Sequence, residues 1–160
     1  MIGTLSLAMV LLTPPEFPKT VEQAILAAYD DECRAEQTYL AIMAEFGERN
    51  PFKNIRQAEI RHQQSLIPHF KTYKLTVPEN RYARKEKESE DSWQARLGVP
   101  KTFKEALAAG LQAEKDNVKL YDAIFKIDLT PELEDTFEHL RWASQERHLP
   151  AFERAYRNQK

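Results

Sequence analysis

Apolar residues recur in steps of three and four along four stretches of the chain, the spacing of a helix that buries one face. The first predicted helix opens at Thr20, which with Gln23 reads as a capping box after Pro18, and runs to about Phe46, before Gly47. The second is predicted to take Asn50 as N-cap and Pro51 as its first residue. It continues to about Tyr73, with Pro68 expected to kink or loosen its last turns. Thr102 and Glu105 form a second capping box and open the third helix, to about Ile127. Thr130 and Pro131 open the fourth, to about Arg157, and Pro150 is expected to bend it or end its regular part early. The first and third connections are short, which forces antiparallel neighbours. The middle one, about residues 74–101, is long and carries a dense run of charge from Arg81 to Asp91. It reads as a crossover strapped along one bundle, because either hairpin alone would have too little core.

The periodic faces carry acids where a core should be. The first seam reads Ile25, Ala28, Glu32, Ala35, Tyr39, Ile42, Phe46, and the third reads Leu107, Gly110, Glu114, Asn117, Tyr121, Ile124. Each has a glutamate in mid-stripe and a tyrosine seven residues later, so the chain reads as two related hairpins. In the second seam Glu59 and His62 project from one face, one turn apart. The fourth helix offers His148, with Gln145 three residues before it as a weaker ligand, while Glu146 should face away. Burying one ionised carboxylate costs several kcal/mol, and three together repel one another. Two divalent cations resolve the conflict, and a single-metal site is also allowed. Oxygen ligands with imidazole suit iron, manganese or zinc. The candidate ligands are therefore Glu32, Glu59, His62, Glu114 and His148. Tyr39 and Tyr121 are expected just behind them, orienting carboxylates or relaying an electron or proton. The competing expectation is an ion-pair network with Arg141, seven residues before His148, as its cation, and Glu36 is an alternative to Glu32.

Composition narrows the picture further. The 160 residues are 42% hydrophobic and 30% charged, which suits one globular domain, and only 4 are glycine, which argues against a glycine-loop nucleotide binder. A net charge of -2 offers no basic field for nucleic acid. The single cysteine, Cys33, excludes an internal disulfide or a cysteine-pair zinc site. The apolar run Ile2–Leu12 is too short for a transmembrane span. Residues 1–19 read as an arm packed on its own bundle or on a second subunit. The expected location is cytoplasmic, or secreted or periplasmic if residues 1–13 act as a signal.

With Glu32, Glu59-Ile60-Arg61-His62, Glu114 and His148 spread over four helices, residues 20–157 resemble the ferritin-like superfamily of ferritins, bacterioferritins and rubrerythrins. Ser144 followed by His148-Leu149-Pro150-Ala151-Phe152 is similar to a group of uncharacterised ferritin-like domains within it. The resemblance implies an all-α ferritin-like four-helix bundle, with two antiparallel hairpins joined by the crossover. It implies two divalent metal ions, iron foremost, and ferroxidase or peroxidase redox chemistry with O2 or peroxide. A homo-oligomer such as a dimer is expected, with a separate electron donor because no rubredoxin-type cysteine pairs are present. Gln145 departs from the second Glu-x-x-His of that pattern. The alternative is a non-enzymatic four-helix interaction or structural module.

Overall fold

The regular structure of the described residues is all helical. The computed structural model describes residues 17–159, so most of the expected N-terminal arm lies outside the described residues. Among these residues there are α-helices, one π-helical turn and no strand. Helix α1 spans Val21–Phe46 and α2 spans Phe52–Thr72. A short α3 spans Glu90–Leu97, and α4 covers Phe103–Ile124. The last segment is α5, Pro131–Ala143, a π-turn, Ser144–His148, and α6, Leu149–Arg157.

Local chemistry explains most of these boundaries. Thr20 accepts a hydrogen bond from the Gln23 amide, while the Gln23 side chain accepts from the Lys19 amide. The Thr102–Glu105 box closes in both directions. Asn50 is not the N-cap of α2, contrary to expectation. Pro51 takes that place, behind a cis Asn50–Pro51 peptide and without a side-chain cap. Helix α2 continues through Pro68 to Thr72. Helix α4 stops at Ile124 rather than Ile127, and the next residues close tighter turns, with Lys126 bonding to Ala123 and Ile127 to Ile124.

Two apolar clusters fill the interior. One joins Ile25 and Ala28 of α1, Leu66 and Phe70 of α2, Ile124 of α4 and Phe137 of α5. The other joins Ile42 of α1, Phe52 and Ile55 of α2, Leu107 of α4 and Phe152 of α6. Each long rod passes from one cluster to the other. The order of their residues shows α1 running against α2, and α4 running against α5–α6. Glu32, Glu59, Glu114 and His148 each fall between the two clusters along their own helix. The core is thus two greasy layers with a polar layer between them.

The crossover holds a short helix, α3, that the periodicity does not predict, and only its first two residues belong to the charge run. Ser89 caps α3 by accepting from the Ser92 amide, and Gly98 ends it in the left-handed region at φ 69°. Trp93 buries its ring and donates its Nε1–H to the Tyr82 carbonyl at 2.9 Å. Arg81 and the Tyr82 hydroxyl both bond to Asp30, which ties the crossover to α1. No helix among the described residues is long and apolar enough to cross a membrane.

Candidate metal centre

Five expected ligands converge in the polar layer. Helix α1 supplies Glu32, α2 supplies Glu59 and His62, α4 supplies Glu114, and the π-turn supplies His148. Glu32, Glu59 and Glu114 are each 2% exposed, and His148 is 4% exposed. His62 Nδ1 lies 2.8 Å from Glu59 Oε2 and 3.0 Å from Glu32 Oε2. His148 Nδ1 lies 3.2 Å from Glu59 Oε1 and 3.2 Å from Glu114 Oε2. Glu59 therefore presents one oxygen to each imidazole. The two rings stack with centroids 5.6 Å apart.

The tyrosines cross over. Tyr39 of α1 donates to Glu114 Oε1 on α4, and Tyr121 of α4 donates to Glu32 Oε1 on α1, both at 2.7 Å. Each outer carboxylate has one oxygen held by a phenol and the other turned to a histidine. Burial, and then the adjacent Glu114 or Glu32, raises the two phenol pKa values well above 10. Both tyrosines are hydrogen-bond donors at any physiological pH.

The same packing sets the charge states. Burial, followed by the neighbouring Glu59, pushes Glu32 up to about 7. Burial also opposes ionisation of Glu59, but hydrogen bonds from His148 and His62 outweigh it and hold that carboxyl below its ordinary value. Burial disfavours charge on the imidazoles, yet their glutamates win. His62 rises to about 10 and His148 to about 9. Protons on these histidines balance the acids when nothing else does.

The donor set fits divalent metal. Glu32, Glu59 and His62 form one group of converging ligand atoms, and Glu59, Glu114 and His148 form a second. Within each group the ligand atoms lie within 4.8 Å of one another. Three carboxylates and two imidazoles supply hard oxygen and borderline nitrogen, and Glu59 belongs to both groups.

Several other polar residues of these helices lie outside the cluster. Gln145 is exposed, so it is not a ligand. The cause is the π-turn, in which the Leu149 amide bonds five residues back to Ser144. Ser144 and His148 both point inward, and the three residues between them face solvent. Arg141 is not the cation of the core either. Its Nε donates to Asp122 on the outer surface at 2.7 Å. Glu36 is buried but pairs with Arg56 at 2.7 Å and takes no part. His69 bonds to Thr136, and His139 is exposed. Burial pushes the Cys33 thiol up to about 12, which makes it an inert packing group.

A supporting pair escaped the sequence reading. Asn117 Nδ2 donates to Asp31 Oδ2 at 2.8 Å, and Ser144 Oγ donates to Asn117 Oδ1 at 2.7 Å. This relay pins the π-turn to α4 and α1. A polar asparagine in the apolar seam of the third helix was the available signal.

No family model and no curated protein matches the chain. Among solved structures it is similar to the crystal structure of hypothetical protein MJ0754 from Methanococcus jannaschii, with a TM-score of 0.71 and 21% sequence identity. The similarity covers 91% of this chain and 86% of that one, and at this identity it shows the fold alone.

Proposed function

We propose that this chain is a ferritin-like four-helix bundle in which Glu32, Glu59, His62, Glu114 and His148 hold two divalent metal ions. The observation that carries this reading is Glu59, whose two oxygens face two different Glu–His pairs. A carboxylate shared in this way suits a pair of cations better than one. Iron is the foremost candidate, with manganese or zinc as alternatives. Redox-active ions bound there would supply electrons to O2 or peroxide, making the protein an oxidoreductase of the ferroxidase or peroxidase kind. The chain's own residues then have defined tasks. Tyr39 and Tyr121 fix the outer carboxylates through their hydroxyls. His62 and His148 give up protons as metal enters. The two apolar clusters keep bulk water from either end of the polar layer. Electrons would come from a separate donor, and a homo-oligomer remains the expected assembly.

One observation favours a second reading. Among the described residues every buried side-chain nitrogen and oxygen has a hydrogen-bond partner. The cluster can therefore persist with protons in place of metal, as the core of a non-enzymatic interaction module. Metal analysis of protein purified without chelator separates the two. The dinuclear reading expects about two ions per chain, Glu59→Ala losing both, and oxygen uptake after ferrous iron is added. Metal well below one per chain, insensitive to Glu59→Ala, supports the module.

A further inference from the structure

The polar layer opens to solvent through a cavity of about 440 Å³ between α1 and α4, beneath the crossover. Its floor is Tyr39, Glu59 and Glu114, so it reaches the candidate metal groups. Its middle walls are apolar, with Ala35, Ile42, Leu97 and Ala113. Its outer lining carries three guanidinium groups, Arg34, Arg81 and Arg96, which pair with Asp31, Asp30 and Glu88 respectively. The volume falls in the range of roughly 300–1,000 Å³ that takes small organic ligands.

The three arginines differ in what they have left to give. Arg96 is the most engaged: four hydrogen bonds from its three nitrogens go to Glu88 and to the carbonyls of Arg81 and Ala83. Arg34 meets Asp31 through Nη2, and Arg81 meets Asp30 and the Tyr82 hydroxyl through Nη2. Each of these two keeps the rest of its donor fork for a further acceptor. A port for incoming cations would not be ringed by guanidinium groups.

We propose that the α1–α4 cavity binds a small organic carboxylate with an apolar body. The carboxylate sits at Arg34 and Arg81. The body lies along Ala35, Ile42 and Leu97, with its far end toward Tyr39 and Glu114. This deepens the metal-centre reading, on which it rests, by naming the class of molecule presented to that centre.

Calorimetric titration of the full chain with octanoate and with octan-1-ol tests it, on both metal-free and zinc-loaded protein whose metal content has been measured. Octanoate is expected to bind about tenfold more tightly than the alcohol, and an Arg34→Gln/Arg81→Gln variant is expected to lose about that factor for octanoate alone. Equal affinity for the two probes, or no binding of either, overturns the proposal, and this comparison needs no variant. Octanoate binding that requires zinc and ignores the arginine substitutions also overturns it, because the carboxylate is then on the metal. Discrimination between the probes by a protein that takes up no zinc keeps the pocket and removes the metal centre. Two ions per chain without discrimination does the reverse.

Discussion

Tyr39 and Tyr121 each put one hydroxyl on a buried glutamate of the opposite helix. Replacing either with phenylalanine leaves a buried carboxylate oxygen without its donor. The cost is about 1.5–3 kcal/mol where the carboxylate is ionised, and at Tyr121 it should fall toward about 1 kcal/mol below pH 7, where Glu32 holds a proton. Urea unfolding of the metal-free single variants measures it directly. The double substitution is expected to depart from the sum of the two singles, because Glu114, His148, Glu59, His62 and Glu32 link the two phenols in one hydrogen-bond network. At this scale the sequence was informative. A glutamate in mid-stripe is conspicuous because its neighbours at three and four are apolar, and Glu32, Glu59 and Glu114 stood out for that reason. Gln145 was misplaced because helix periodicity assumes an unbroken α-helix.

The π-turn is the element-scale counterpart of that error. Leu140, Ser144, His148 and Phe152 all point inward, and they are spaced four, four and four. Three such steps would drift by about 120° around a regular helix. The π-turn takes up the drift by closing its bond over five residues. That run of fours was a legible clue, and so was Pro150 just beyond it. Deleting Glu146, one of the exposed residues of the turn, should return the segment to ordinary helix with Ser144 and His148 still inward. Metal content and helical circular dichroism are expected to survive this deletion. Loss of both would show that the turn's geometry is itself required. Helix α3 was missed for another reason. Its caps Ser89 and Gly98 bracket a stretch that is short and highly charged, so its one buried face, around Trp93, left no periodic trace. Gly110 is a third case. A Cβ there would lie 2.6 Å from Cζ of the buried Phe152. Gly110→Ala is therefore expected to destabilise by about 1–3 kcal/mol through overpacking, and Phe152→Leu in the same chain should recover part of the loss. Thermal unfolding of the two variants checks it.

For the whole molecule, the layered core couples stability to pH. His62 and His148 are held at about 10 and about 9 in the fold, above the ~6.5 of an unfolded histidine. Their contribution is complete below ~6.5 and is lost as pH rises through 9 to 10. Glu32 is raised to about 7, so its ionisation opposes folding above its unfolded value of ~4.3 and does so in full beyond 7. Both effects point the same way. Metal-free protein is expected to lose melting temperature steadily between pH 7 and 10. Metal binding removes these protons, so the stabilisation it adds should grow over the same window. Scans with and without chelator measure both slopes. The all-helical character and the meeting of the two hairpins were readable from caps, short connections and periodic faces. The cavity beneath the crossover was not, because its rim joins Arg34 of α1 to Arg81 and Arg96 of a segment far away in sequence.

The central claim concerns cations on either side of Glu59. Anomalous diffraction from crystals of chelator-free protein, collected at the iron, manganese and zinc edges, addresses it directly. Two peaks about 3.5–4 Å apart are expected, flanking the Glu59 carboxylate, with His62 against one and His148 against the other. A density map with those five side chains in place, their histidines bonded only to carboxylates and no anomalous peak at any edge, would contradict it.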